Sequence, residues 1–182
     1  IQNYRQIIKK IYMPLFNNYR IKNQIGELKI KFSETYIVLL GTFLMGITVI
    51  ILTGDKIFKQ IGSNTMLLDK PYLLFIGVIL LLELNHSISA CLITTKNEVP
   101  FVKPALISGI SIGITSFLLL KYTNLGVLGI LLSQFIIQLG YNNWKWPIEI
   151  LKDLNTNYIE IFRIGIKSII LKVFGGIKWS RK

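Results

Sequence analysis

One cysteine and one histidine stand in a chain of 182 residues, and only nine side chains are acidic. Cys91 alone excludes an intrachain disulfide, and its place inside an apolar run marks it as a small packing residue. A lone His86 excludes a metal site built on paired histidines. There is no Gly-rich phosphate loop, no Cys or His pair at metal-ligand spacing, and no Ser or Cys nucleophile beside a base. No catalytic residue, metal or cofactor is therefore expected. Charge as a whole is scarce: 16% of residues are charged against 52% hydrophobic, with a mean hydropathy of +0.53. That balance is too apolar for the usual soluble mix.

The apolar residues collect in runs near the roughly 20 residues that a helix needs to cross about 30 Å of hydrocarbon. Four runs are predicted to span a membrane, over about residues 36–53, 71–93, 104–120 and 125–141. The first ends at Gly54 and Asp55, where a charged loop, GDKIFKQIGSNTMLLDK, begins. Pro71 suits the first turn of the second, because the amide it lacks would be unbonded there. The short turns TTKNEVPFVK and KYTN make the second, third and fourth runs antiparallel neighbours. Tyr36, Tyr72, Tyr122, Tyr141, Trp144 and Trp146 fall at the span ends, where aromatic rings sit among headgroups. The expected fold is an all-α integral membrane protein of four transmembrane helices with basic amphipathic ends, divided as residues 1–32, 33–142 and 143–182.

The net charge of +12 comes from 21 Lys and Arg that flank these runs. They do not gather on one domain with base-stacking aromatics, so membrane lipids and not nucleic acid are the expected anionic partner. Arg20, Lys22, Lys29, Lys31, Lys96, Lys103, Lys145 and Lys152 fall on one side of the membrane, and Lys56, Lys59, Lys70 and Lys121 on the other. The positive-inside rule then makes both ends cytoplasmic in a multi-pass protein. Ile7, Ile8, Ile11 and Leu15 lie at helical spacing, which predicts an amphipathic surface helix broken near Pro14. In the tail, Glu160, Arg163 and Lys167 would line one polar face of an interfacial helix. The chain opens with Ile1 and no signal peptide, so a fragment of a longer protein is expected.

Glu83, Asn85 and His86 fall midway along the second run. Ionisable groups at that depth face a bundle interior or an aqueous cavity, since a central charge costs roughly 2.5–3.5 kcal/mol. Glu83 and His86, three apart, share a helix face. Two readings stay open: a part in transport or proton coupling, or a protonated carboxyl bonded to a neighbouring helix with His86 as a satisfied partner. Gln134 and Gln138 share a face of the fourth run and point to other helices or a cavity. Ala105, Gly109 and Gly113 form a small-residue stripe that suits close helix packing. Tyr141, Asn142, Asn143, Trp144, Lys145 and Trp146 suit either sugar contact, by ring stacking and amide bonding, or an interfacial anchor.

The stretches ELNHSISACLITTKNEVPFVKPALISG and LGILLSQFIIQLGYNNWKWP resemble the C-terminal part of bacterial Wzx-type polysaccharide flippases of the MATE-like (multidrug/oligosaccharidyl-lipid/polysaccharide) superfamily. The resemblance covers roughly residues 10–150. It implies a transporter of roughly twelve to fourteen helices in two pseudo-symmetric halves, of which this chain holds the last four, with the substrate site between the halves. It also implies flipping of undecaprenyl-pyrophosphate-linked oligosaccharide across the bacterial inner membrane for O-antigen, capsule or exopolysaccharide synthesis. The implied partners are the lipid-linked oligosaccharide, the N-terminal half of the same transporter and a polysaccharide polymerase. The chain departs from the family in one respect: none of the four runs has an internal Lys or Arg for the pyrophosphate, so that site is expected outside this chain. Two alternatives stand beside this reading. One is a MATE-like drug or cation exporter using Glu83, and the other a membrane polymerase, which the short outer loops without Arg or His disfavour.

Overall fold

The computed structural model describes residues 11–63, 65 and 67–175, and no strand occurs among them. Its helices are α1 (Met13–Ile21), α2 (Ile25–Gln60), α3 (Lys70–Thr94), α4 (Val102–Tyr122), α5 (Val127–Gly140), α6 (Asn142–Asp153) and α7 (Tyr158–Gly175). Three of them, α2, α3 and α4, are long and apolar enough to cross a membrane. At 1.5 Å per residue α5 is about 21 Å long, short of the thickness of the hydrocarbon. Its apolar run is longer than its helix, because Gly126 turns into the left-handed region at φ 51° and Tyr141 (φ −146°, ψ −59°) parts it from α6.

The helix α2, which holds the first predicted span, differs most from expectation. It is one piece of 36 residues, about 54 Å, and absorbs both the basic flank before residue 36 and the start of the predicted loop. Lys, Glu and the aliphatics there are good helix formers, and a change in polarity does not end a helix. What ends it is Gly62 at φ 70°: the Gly62 amide donates to the Lys59 carbonyl at 3.2 Å and the Ser63 amide to that of Phe58 at 3.0 Å. This Schellman motif needs a residue tolerant of positive φ. Asn23 and Asn155 do the same after α1 and α6, each with the paired bonds of that motif. Pro14 sits in the first turn of α1, which starts at Met13. Ile7 and Ile8 lie outside the described residues.

The chain divides into two compact units that cut across the linear division expected from hydropathy. One unit contains the chain to Leu40, Ser87–Val99 and the chain from Trp146. Its core holds Phe16, Leu28, Phe32, Ile88, Leu92, Ile93, Trp146, Ile150, Leu154 and Ile161, all buried. Rings run in sequence from Phe16 to Phe32 (6.3 Å), Tyr36 (6.2 Å) and Phe162 (5.8 Å). The tail helix α7 is therefore packed on α2 and not simply laid in an interface. Gly165 makes this possible: a Cβ there would sit 2.5 Å from the Ser33 carbonyl oxygen. Asp153 accepts from Arg20 and from Lys96, both at 2.6 Å, and Arg20 also reaches the Thr95 hydroxyl at 2.7 Å. Glu160 pairs with Lys29 at 3.2 Å, whereas Arg163 and Lys167 are exposed. Glu34, buried, is bonded by Ser168, Lys172 and Lys31.

The other unit holds residues 41–86 and 100–145. Phe75 meets Phe135 edge to face at 5.3 Å, and Gly129 lets α5 close on Leu119 of α4. Outward lie Met45 (66% exposed), Leu52 (67%), Ile107 (65%) and Phe117 (61%). An outer surface so apolar is unstable in water and suited to lipid or to further helices. The fold is thus that of a helical protein compatible with multi-pass membrane insertion.

Two outcomes follow. Gly165→Ala should destabilise by about 1–3 kcal/mol, the usual cost of overpacking, while Gly109→Ala, whose Cβ would meet nothing within 4 Å, should not. Thermal unfolding in detergent reads the difference. Burial raises the Asp153 pKa, but Arg20 and Lys96 more than offset it and hold the carboxyl below its ordinary 3.8. Its stabilisation is then complete above that value and lost as pH falls through the lower folded one, so unfolding measured against pH should show an acid-side loss that Asp153→Asn removes.

Candidate functional site

Asn142 opens α6, one residue after α5 ends, and is 2% exposed. A buried primary amide has two hydrogens to place and is costly to leave unpaired. Both are placed: Nδ2 donates to the Ser108 hydroxyl of α4 at 2.8 Å and to the Gln138 carbonyl oxygen of α5 at 3.0 Å. The Asn142 backbone carbonyl lies 3.1 Å from Nδ1 of His86 on α3. A carbonyl only accepts, so Nδ1 carries the proton in this arrangement. One residue of α6 therefore joins polar groups from three other helices, α3, α4 and α5.

Asn143, the next residue, is 6% exposed, and its Oδ1 is buried without a hydrogen-bond partner among the described residues. Such an atom is rare in a folded protein and marks a place where a donor can be received. Pro147, one turn on within α6, has no amide to give the Asn143 backbone carbonyl, which loosens the same turn. Tyr141 and Trp144 lie on the outside, 39% and 46% exposed, with ring centroids 5.9 Å apart, and the Trp144 indole donates to the Gly140 carbonyl at 3.2 Å. The site thus combines amides, a hydroxyl, an imidazole and an exposed aromatic pair. What it still offers a ligand is the Asn143 Oδ1 acceptor and the exposed Tyr141 and Trp144 rings, and among the described residues no group of His, Cys, Asp and Glu could hold a metal.

Of the residues singled out from sequence, His86, Gln138 and Asn142 come together. Glu83 and Asn85 are half-buried on α3, within one turn of His86, and Gln134 lies half-buried one turn before Gln138. Lys145 is half-buried in the first turn of α6. Trp146 is a correction: at 2% exposed it is a core residue of its own unit, so of the two tryptophans only Trp144 is placed to anchor at an interface or meet a ligand. The stripe has no packing partner among the described residues. Ala105, Gly109 and Gly113 are exposed, and no other described helix packs against the two glycines. Ser108 was missed by sequence reasoning. Its signal was present, since a hydroxyl beside Gly109 in an apolar helix needs a partner, but the partner lies 34 residues away in the chain.

No family model, curated protein or solved structure matches this chain. If the node is a structural requirement, Asn142→Ala should lower stability by about 1–3 kcal/mol by stranding Ser108 and Gln138, and Asn142→Leu should do no better. Denaturant unfolding of the purified chain checks both.

Proposed function

We propose that this chain belongs to a polysaccharide flippase of the MATE-like superfamily, carrying undecaprenyl-pyrophosphate-linked oligosaccharide from the cytoplasmic to the outer leaflet of the bacterial inner membrane. The observation that carries the reading is the hydrogen-bonding cluster at Asn142, seated among apolar helices beside the exposed Tyr141–Trp144 pair. An amide oxygen still open to a hydroxyl, that of Asn143, next to rings that stack on pyranose faces is the chemistry a sugar carrier needs. The motifs ELNHSISAC and YNNWKWP lead to the same family by resemblance, and both contribute to this cluster through His86 and Asn142.

In this reading α2, α3 and α4 are three of four crossings, and α5 makes the fourth together with residues on either side of it. Both ends are cytoplasmic. The exposed apolar faces, including the Ala105–Gly109–Gly113 stripe, meet lipid or the other helices of the transporter. Transport needs no covalent step, only a bias in binding between inward-open and outward-open states. A cation exporter remains the second reading, because Glu83 lies half-buried at the middle of α3.

The test is complementation of a strain that lacks its flippase and makes the matching polysaccharide, using the whole gene product that carries this chain. Wild type should restore surface polysaccharide. Trp144→Ala, which removes an exposed ring and little packing, should reduce it severalfold at unchanged membrane abundance. Failure of the correctly inserted wild type in a matched host sinks the reading, and Glu83-dependent efflux of a cationic dye by the same protein would favour the exporter.

A further inference from the structure

A cavity of about 730 Å³ lies where the last turns of α2, the following loop and the start of α3 meet. Its size is within the roughly 300–1,000 Å³ that small ligands occupy. Lys56, Lys59 and Lys70 line it together with Asp55 and Asp69, and none of the five enters an ion pair among the described residues. Helix dipoles account for part of this set: Lys56 and Lys59 suit the C-terminal end of α2, and Asp69 suits the entrance to α3. They do not account for Lys70 at the first position of α3, which carries the unfavourable sign for its place, and Asp55 stands before the last turn of α2, where the dipole has little effect. Phe58, Leu67 and Leu68 give the same cavity an apolar wall. Ser63 Oγ accepts from the Thr65 amide at 3.1 Å, which keeps its hydroxyl hydrogen available to an acceptor.

From these charges we infer that the cavity binds the headgroup of a zwitterionic phospholipid with a primary ammonium, of the phosphatidylethanolamine type. The lysines and the Ser63 hydroxyl hold the phosphate, the two carboxylates hold the ammonium, and the apolar wall takes the glycerol and the start of the acyl chains. The five charged side chains are exposed and so within reach of a ligand that carries both signs, which can meet the lysines and the carboxylates together. The cavity stands at the ends of two helices long and apolar enough to cross a membrane, where headgroups are found. The site rests on the membrane reading but not on flipping.

Native mass spectrometry of the purified full chain tests it, with short-chain phosphatidylethanolamine and phosphatidylglycerol offered in equal amounts. Phosphatidylethanolamine should be retained about tenfold better, the worth of one or two charge-assisted bonds. Asp55→Asn with Asp69→Asn should abolish that preference, while Lys56→Gln, Lys59→Gln and Lys70→Gln together should weaken both lipids about tenfold. The matching triple change to arginine should keep binding, which separates a headgroup contact from a general loss of folding. Equal retention of the two lipids by wild type, or a preference that survives the aspartate changes, overturns the proposal, as does displacement of the lipid by an equal concentration of inorganic phosphate. A chain that fails to sediment with membranes overturns the membrane reading and this site together, whereas one that inserts without discriminating between lipids overturns the site alone.

Discussion

Asn142 spends both amide hydrogens inside the protein, on Ser108 and Gln138, while its backbone carbonyl lies within bonding distance of His86. Where the surroundings are hydrocarbon there is no water to stand in for a missing partner, and each buried polar atom must be satisfied by the chain or by a ligand. That constraint explains why the Asn142 side chain is fully bonded within its unit. The bonded groups hold the turn in place, and Asn143 beside them has an acceptor still to satisfy among the described residues.

The same constraint takes a charged form in the other unit. Asp153 gathers Arg20 from the end of α1 and Lys96 from the α3–α4 turn, and Glu34 gathers Ser168 and Lys172 from α7. Removing one member would strand the others in a half-buried setting, which costs more than the net gain from forming the pair. Side chains that would each be ordinary surface charges in a soluble protein here join segments remote in sequence. The close approach at Gly165 and the ring series from Phe16 to Phe162 supply the apolar part of that union.

Both features bear on function. The first unit joins segments from the two ends of the chain around paired charges, and the second presents an apolar exterior with a small polar centre. The proposed translocase would use the first as a stable body and the second as a membrane-facing one. The lysine-rich cavity at the end of α2 adds a place where membrane lipid itself enters the structure as a ligand.

Hydropathy and local backbone chemistry determined the helices. Runs of apolar residues marked α3 and α4 to within one or two residues, because helix length and hydrocarbon thickness impose the same spacing on sequence and structure. The polar residues worth attention were legible as well, since His86, Gln138 and Asn142 stand out where the rest is aliphatic. The end of α2 was not, because polarity changes at Gly54 whereas the backbone turns only at Gly62. Nor was the choice of partners. Trp146 and Trp144 are alike in sequence, two residues apart beside Lys145, and only the packing of α6 puts one in a core and leaves the other exposed. Ser108 meets Asn142, Arg20 meets Asp153 and Gly165 meets Ser33 because helices cross, and a crossing is decided by the fit of two surfaces that neither segment specifies by itself.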